Sequence, residues 1–266
     1  YDTERCILLN EFIEFIKITQ KNSWEDFCKQ YSINPEERIC ERLNNQIIKR
    51  GLIDVLKNGF SDKGCDFSLL YFKPNSGMNE THKQKYFKNS FKLIRQLYFS
   101  PFNSDLSIDL VLFINGIPIL TIELKNKITG QDNIDAEIQY SKRNLNEPLL
   151  QFKRCLVHFA VGTEKVSMCT NLNGKSSYFI PFNKDFENPV NKNGHKTSYL
   201  WEDILTKDSI LDLINNFIHL NTEEKNLIDF KKNKLVKKTT TSLIFPRYHQ
   251  LRAVRKLKDA ILKEGV

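Results

Sequence analysis

The sequence contains no apolar run close to the roughly 20 residues that a membrane helix needs, and no signal peptide opens it. These two absences exclude a membrane-spanning protein of the helical class. A soluble protein without a membrane partner is therefore expected. No internal repeat is present either, which argues against a solenoid or another repeat architecture.

The sequence also has no C-x-x-C pair, and none of its five histidines stands at metal-ligand spacing from a cysteine. A zinc site is therefore disfavoured. His158 lies in an apolar stretch and is interpreted as a packed strand histidine. Several of the six cysteines also lie in apolar stretches that would bury them as small hydrophobic side chains, which fits a reducing cytoplasm: Cys6, Cys28, Cys40, Cys65, Cys155 and Cys169.

An excess of positive charge is the main compositional feature that the sequence does have. Lys and Arg number 40 against 32 Asp and Glu, which gives a net charge of +8 and a pI near 9.0. This balance favours a polyanionic partner such as nucleic acid, although many basic proteins bind none. The 266 residues are 40% hydrophobic, as expected for a globular domain with an appendage. Because the chain begins at Tyr1 and ends in helix-like sequence, both ends are expected to be cuts through a longer polypeptide.

A predicted β-hairpin carries the most informative residues. Residues 108–114 and 117–124 are rich in Ile, Val and Leu, and they meet at Asn115-Gly116, the dipeptide best suited to a type I′ turn. Pairing outward from this turn puts Asp109 near the level of residues 122–124. Because side chains alternate along a strand, Glu123 and Lys125 should project from one face and Leu124 from the other. Three ionisable groups are thus expected to converge.

Two carboxylates held close together in apolar sequence are costly unless a cation neutralises them. The side chains of Asp109 and Glu123, with the backbone carbonyl of Leu124, offer hard oxygen ligands that suit Mg²⁺ or Mn²⁺. Lys125 could then orient or help deprotonate the attacking water and offset charge on a phosphodiester. A half-buried salt-bridge cluster is the alternative, since D-x13-E-x-K is short and structural ion pairs also occur in sheets.

These residues also resemble a known family. Asp109…Glu123-Leu-Lys125 is similar to the PD-(D/E)xK nuclease signature, and its surroundings resemble the R (HsdR) subunit of type I restriction enzymes, although the family often has proline near the first acid, where this chain has Ser107-Ile108. The resemblance covers most of residues 90–255. It continues through Gly130-Gln131, Gln139–Arg143, Glu147–Leu149, Val157–Ala160, Phe179–Asn183, Tyr199–Glu202 and Phe245–Gln250.

The resemblance implies a Mg²⁺-dependent endonuclease that cleaves double-stranded DNA with Asp109, Glu123 and Lys125. It implies that a complete subunit also translocates DNA with ATP, in the cytoplasm, and assembles with methyltransferase (M) and specificity (S) subunits. Sequence choice would then belong to another subunit. Two alternatives stay open: a stand-alone restriction or repair nuclease of the same fold, and a catalytically silent DNA-binding or assembly module. Metal-dependent cleavage that is lost on substitution of Glu123 would distinguish the enzymes from the module.

Periodicity predicts an α/β fold whose N-terminal part is helical. From residue 91 the predicted order of three strands, a helix and a strand resembles the PD-(D/E)xK (restriction endonuclease-like) core, in which helices flank a mixed β-sheet. The expected domains are an endonuclease at 1–220 with its catalytic core at about 91–161, a basic linker at 221–242, and the start of a truncated helicase-like ATPase at 243–266. Helices are predicted at 8–17, 35–56, 131–143 and 208–220; strands at 66–72, 91–99, 108–114, 117–124, 154–161, 166–170 and 178–180. Residues 221–241 are rich in Lys, Asn and Thr and predict a linker or a marginal helix.

Gln139 and Arg143 are four residues apart on the predicted helix after the catalytic strand, so both should face the same way. They are candidates to support Glu123 and Lys125 or to contact a phosphate, and a solvated polar helix face is the alternative. Related nucleases carry Gln-x-x-x-Tyr here, and this chain has Arg in place of the tyrosine, which leaves the role of that position open.

Two further assignments come from the resemblance alone. Gln250 resembles the glutamine that contacts the adenine of ATP in related motors, and it would do so only in the intact protein. Related nucleases also carry a glutamate on a helix before the first strand. That residue is either one of three glutamates near the N terminus or a residue upstream of Tyr1; the three are Glu4, Glu11 and Glu14.

Overall fold

The computed structural model describes residues 1–74, 79–229 and 234–264. Its helices are α1 (Leu9–Thr19), α2 (Lys21–Gln30), α3 (Pro35–Arg50), α4 (Leu52–Asn58), α5 (Glu80–Phe87), α6 (Asn133–Ser141), α7 (Lys207–Asp212) and α8 (Tyr248–Glu264). Its strands are β1 (Phe60–Asp62), β2 (Cys65–Phe67), β3 (Phe91–Tyr98), β4 (Ser107–Ile114), β5 (Ile117–Leu124), β6 (Val157–Val161), β7 (Val166–Cys169), β8 (Ile180–Pro181), β9 (His219–Asp229) and β10 (Lys234–Ile244). Within these residues, no helix combines the length and hydrophobicity needed to cross a bilayer.

A six-stranded mixed sheet forms the centre of the fold, in the order β3-β4-β5-β6-β7-β8. Strands β5 and β6 are parallel, the other neighbours are antiparallel, and the connection between β5 and β6 contains α6. The larger hydrophobic cluster joins one side of the sheet to the N-terminal helices, and a smaller cluster lies under α6. The predicted α/β architecture with helices flanking a mixed sheet, a restriction endonuclease-like core, is confirmed.

The turn between β4 and β5 is buried beneath α1. Asn115 and Gly116 have φ angles of +50° and +78°, as the predicted type I′ turn requires. The Asn115 amide donates to the Leu69 carbonyl at 2.8 Å, and the Gly116 carbonyl accepts from the Leu8 backbone N–H at 2.8 Å. A Cβ atom on Gly116 would lie 2.6 Å from the Leu8 carbonyl oxygen. Position 116 therefore needs glycine for its backbone angle and for the close approach of α1.

Gly116→Ala should lower the free energy of unfolding by about 3 kcal/mol, because it adds a left-handed backbone penalty and a clash with the α1 backbone. Gly64→Ala is the matched control: its φ is +80°, and nothing lies within 4 Å of the added Cβ. This control should lose only about 1 kcal/mol. Urea denaturation of the two variants measures the difference, and equal losses would contradict the proposed clash.

Three sequence assignments differ from the structure. The helix predicted at 35–56 is two helices, because Gly51 (φ +86°) ends α3. The strand predicted at 66–72 is only the short β2, paired with β1. The helix predicted at 208–220 ends as α7 at Asp212, and a π-helical turn follows at Leu213–Phe217.

Residues 221–241 were predicted to form a linker or a marginal helix, and their described part is strand. Strands β9 and β10 pair antiparallel from His219 with Ile244 outward to Asp229 with Lys234. The helical alternative was therefore wrong, since β-branched residues such as Thr239–Thr241 favour strands. The division of the chain into domains stays a prediction.

The C-terminal helix α8 packs on the core of the fold. Tyr248 is buried, and its ring lies edge-on to the rings of Tyr199 at 5.2 Å and Phe182 at 5.9 Å. Arg255 pairs with Asp212 at 3.0 Å.

All six cysteines are free thiols. Cys28 is half-buried and the other five are buried, so the predicted burial of several cysteines is confirmed.

Candidate active site

A β-bulge sets the register of the β4–β5 hairpin. The pairing begins with Ile114 opposite Ile117, as predicted, but one extra residue on β5, Ile119, shifts the later pairs so that Leu110 lies opposite Ile122. Continued by one residue, this register brings Asp109 level with Glu123. Without the bulge, Asp109 would be level with Ile122. The prediction that Asp109 lies level with residues 122–124 is thus confirmed. Within this range, the bulge places Asp109 opposite Glu123.

Asp109 binds the backbone of the neighbouring strand through its side chain. Its Oδ2 accepts a hydrogen bond from the backbone N–H of Leu124 at 2.8 Å. The β4–β5 pairing ends at Leu110 and Ile122, so the Asp109 carboxylate occupies the place that the next ladder carbonyl would take. Asp109 is half-buried, so one side of its carboxylate stays accessible.

Glu123 is completely buried, and α6 and the residues that directly follow it supply a donor to each of its oxygens. Arg143 Nη2 donates to Oε1 at 2.6 Å, and Gln139 Nε2 donates to Oε2 at 2.8 Å. Arg143 also donates to the Ser107 carbonyl at 2.7 Å, and its guanidinium lies over the Phe99 ring at 5.4 Å. The structure therefore brings Gln139 and Arg143 to Glu123, the contact expected of residues that orient a carboxylate.

The carboxylates of Asp109 and Glu123 carry negative charge that their surroundings neutralise only in part. Burial raises the pKa of Glu123 to about 7, while the Arg143 guanidinium opposes that rise and the nearby Asp109 carboxylate adds to it. One arginine thus compensates Glu123 incompletely. A cation between the two carboxylates would offset their repulsion.

Lys125 follows β5 directly, and its backbone N–H donates to the Val161 carbonyl at 2.8 Å. Its half-buried side chain lines a cleft of about 500 Å³ together with Gln139, Lys142 and Arg143. Leu124, by contrast, is 42% exposed. Lys125 therefore lies on the same side of β5 as the residues that hold Glu123, as the strand alternation predicts.

Metal-binding capacity at the site rests on hard oxygen donors. Among the described residues, no group of three or more His, Cys, Asp and Glu side chains is arranged to hold a metal. The donors at hand are the two carboxylates of Asp109 and Glu123 and backbone carbonyls such as that of Leu124. This donor set fits Mg²⁺ or Mn²⁺, which keep several water ligands.

A buried polar network that the sequence reasoning missed lies one step deeper on β5. Thr121 Oγ1 hydrogen-bonds the Tyr140 hydroxyl at 2.7 Å and His158 Nδ1 at 2.8 Å. Tyr140 belongs to α6, so the network fixes the helix that carries Gln139. The sequence signal for this network was Thr121, a polar residue two positions before Glu123 in an otherwise apolar strand. His158 is packed in β6, as predicted.

Acid should destabilise the protein through His158. Burial lowers the pKa of His158 from 6.5 to about 3. Between these two pH values the imidazole is therefore protonated in the unfolded chain and neutral in the folded protein. The free energy of unfolding should lose about 3 kcal/mol through this group between pH 6.5 and 4. Urea denaturation of the parent and of His158→Gln measures the difference in pH dependence. Identical slopes would contradict the prediction.

The structure places Glu11, one of the three candidate glutamates near the N terminus, away from Glu123. Helix α1 contacts the hairpin at Gly116, and the length of β5, roughly 20 Å, separates that end from Glu123. On α1, Glu11 pairs with Lys92, which lies opposite Phe113 near the hairpin turn. The position of the expected fourth glutamate stays a prediction.

Gln250 lies outside this site. Its Oε1 accepts from the Arg247 backbone N–H at 2.9 Å in the first turn of α8, and its side chain is exposed. Its contact with adenine stays a prediction.

Comparison with known proteins gives two matches. Residues 8–177, which include the hairpin, α6 and β6, match the family described as the N terminus of the type I restriction enzyme R protein. Across 256 residues, or 95% of its length, the chain is 27% identical to a protein of Methanocaldococcus jannaschii that is provisionally assigned as the MjaVIIIP endonuclease subunit of a type I restriction enzyme. The chain spans 23% of the length of that relative.

Proposed function

Because this chain belongs to the family of type I restriction enzyme R protein N termini, we propose that it is the nuclease region of an R subunit and hydrolyses phosphodiester bonds of double-stranded DNA with Mg²⁺ or Mn²⁺. The observation that carries the proposal is the bulged hairpin, which brings Asp109 level with Glu123 beside Lys125. A half-buried structural salt bridge is the weaker interpretation, because Lys125 is in none of the ion pairs of the described residues.

Each residue has a distinct task in this reaction. Asp109 and Glu123, with the Leu124 carbonyl, would hold the metal, and a metal bound there would supply positive charge to stabilise the phosphate oxygens in the transition state. Lys125 orients the attacking water and offsets the charge that grows on the phosphodiester. Gln139 and Arg143 keep the Glu123 carboxylate in one orientation, since each donates to one of its oxygens.

DNA enters through the cleft beside Lys125. Lys142 and Arg143 line the same cleft, and the net charge of +8 favours a polyanion. Contacts of this kind bind the phosphate backbone and carry no sequence information. Sequence choice is therefore assigned to a specificity (S) subunit, in a cytoplasmic complex with a methyltransferase (M) subunit.

ATP-driven translocation is assigned to the part of the subunit outside this chain. The chain covers only 23% of its relative, which leaves ample length for a motor. In that intact subunit Gln250 would contact the adenine of ATP.

Titration calorimetry with Mn²⁺ tests the proposal. The parent should bind one Mn²⁺, and both Asp109→Asn and Glu123→Gln should weaken binding at least tenfold, since each removes one charged ligand. Asp105→Asn, an exposed acid on the loop before β4, is the matched control and should bind like the parent. Absence of Mn²⁺ binding by the parent would favour the silent module. Tight binding to one DNA sequence would favour the stand-alone nuclease.

A further inference from the structure

One residue of the edge strand β3 has an unusual backbone conformation. Gln96 has a φ of +45°, in the left-handed region that a side chain other than that of glycine or asparagine rarely adopts. Arg95 pairs with Leu110 and Leu97 pairs with Ile108, so Gln96 lies level with Asp109 on the neighbouring strand. The strained residue therefore sits beside the proposed metal ligand.

In both β3 and β4, the side of the strand that packs in the smaller hydrophobic cluster changes at the level of Gln96 and Asp109. Ile94 and Leu97 are three residues apart, yet both pack in the smaller hydrophobic cluster. Ile108 and Val111 repeat this spacing on β4 and pack in the same cluster. In a regular strand, residues three apart point to opposite faces. The β3–β4 ladder therefore turns about its axis around Gln96 and Asp109.

This turn explains the hydrogen bond of Asp109. A side chain of a regular strand stands above or below the sheet, whereas the backbone N–H of Leu124 lies near the plane of the sheet. Asp109 reaches that N–H at 2.8 Å, so its carboxylate leaves the strand close to the plane. In an untwisted strand the carboxylate would point away from Leu124 and from the metal ligands beside it.

We propose that Gln96 is a positioning residue of the active site: its left-handed backbone turns the sheet edge at Asp109, so that the Asp109 carboxylate reaches the Leu124 N–H and Glu123. The role lies in the backbone. Among the described residues, the exposed Gln96 side chain has no hydrogen-bond partner. The consequence for metal binding rests on the proposed function, whereas the placement of Asp109 does not.

Substitutions at position 96 separate a backbone role from a side-chain role. Glycine and asparagine adopt positive φ readily, so Gln96→Gly and Gln96→Asn should keep the turn. Valine disfavours positive φ, so Gln96→Val should straighten β3. Arg95→Val, one residue away in the regular part of the strand, is the matched control.

Hydrogen exchange of the Leu124 amide, measured by NMR without metal, reports the Asp109 contact directly. Gln96→Val should speed this exchange about tenfold, while the glycine, asparagine and control variants keep the parent rate. The Lys125 amide, bonded to Val161, is the internal standard, because general loosening of the sheet would expose both amides. The proposal would be overturned if the Leu124 amide exchanged as slowly in Gln96→Val as in the parent. Faster exchange of this amide in Gln96→Gly would also overturn it.

Mn²⁺ affinity is the second measurement. Gln96→Val should weaken binding about tenfold, and Gln96→Gly and Gln96→Asn should not. If Gln96→Val does not fold, Gln96→Thr takes its place, because threonine is also β-branched and disfavours positive φ. If the parent binds no Mn²⁺, the proposed function fails, and the exchange of the Leu124 amide still decides the role of Gln96.

Discussion

Lys125→Ala is expected to reduce DNA cleavage by the complete restriction complex by about a thousandfold, with ATP hydrolysis at the parent rate. The ammonium group lies in the cleft beside the residues that hold Glu123, where a fixed positive charge acts on the phosphodiester with little screening. The proposed motor lies in another part of the subunit, so its activity should not depend on this lysine. Plasmid cleavage and ATPase assays on one preparation measure both effects.

Lys127→Ala is the matched control for this result. Lys127 is two residues further along, is exposed and pairs with Glu164 at 3.1 Å, so its removal should leave cleavage unchanged. A thermal melting curve shows whether each variant is folded. Cleavage by Lys125→Ala at the parent rate would contradict the assigned role, and joint loss of cleavage and ATPase activity would identify a folding defect.

Arg143→Met is expected to lower the free energy of unfolding by about 3 kcal/mol at pH 8 without metal, because it leaves the fully buried Glu123 carboxylate without its cationic partner. The loss should shrink as the pH falls. The pKa of Glu123 is already raised to about 7 by burial, and removal of the arginine raises it further, so the folded protein binds a proton at low pH and the buried charge disappears.

A double-mutant cycle tests this explanation. Arg143→Met combined with Glu123→Gln should recover most of the loss, because no buried charge remains. Lys142→Met, the exposed neighbour at the end of α6, should cost less than about 0.5 kcal/mol. Urea denaturation at pH 6 and pH 8 measures the four proteins of the cycle and the Lys142→Met control. Additive losses in the double variant would contradict the predicted coupling.

The hairpin could be predicted because its signals are local. Asn115-Gly116 specifies the turn by backbone angles, and the apolar residues on either side specify two strands. The bulge at Ile119 could not be located in the same way, because residues 117–120 are all apolar and show no alternation. Pro118 is the signal available, since proline lacks a backbone N–H and is found in sheets at edges and bulges.

The contacts of Gln139 and Arg143 with Glu123 could be predicted from the sequence only in part. The four-residue spacing of Gln139 and Arg143 places both on one helix face, but whether that face meets the sheet depends on the packing of Tyr140, which is a tertiary contact. Gln96 gives no sequence signal, because glutamine rarely adopts a positive φ and no neighbouring residue marks the position of the turn. The strands in the described part of 221–241 were missed because a composition rich in Lys and Thr does not show which segments pair.

The β9–β10 hairpin has a consequence for insertions and deletions in this region. His219 and Ile244 are paired, so the chain leaves the core and returns to it at adjacent points. Leu243 is buried at the base of the hairpin, which fixes the return point in the core. Shortening or lengthening both strands together would therefore leave the start of α8 where it is. Homologous proteins can be expected to vary in length here without any change in the spacing between the core and α8.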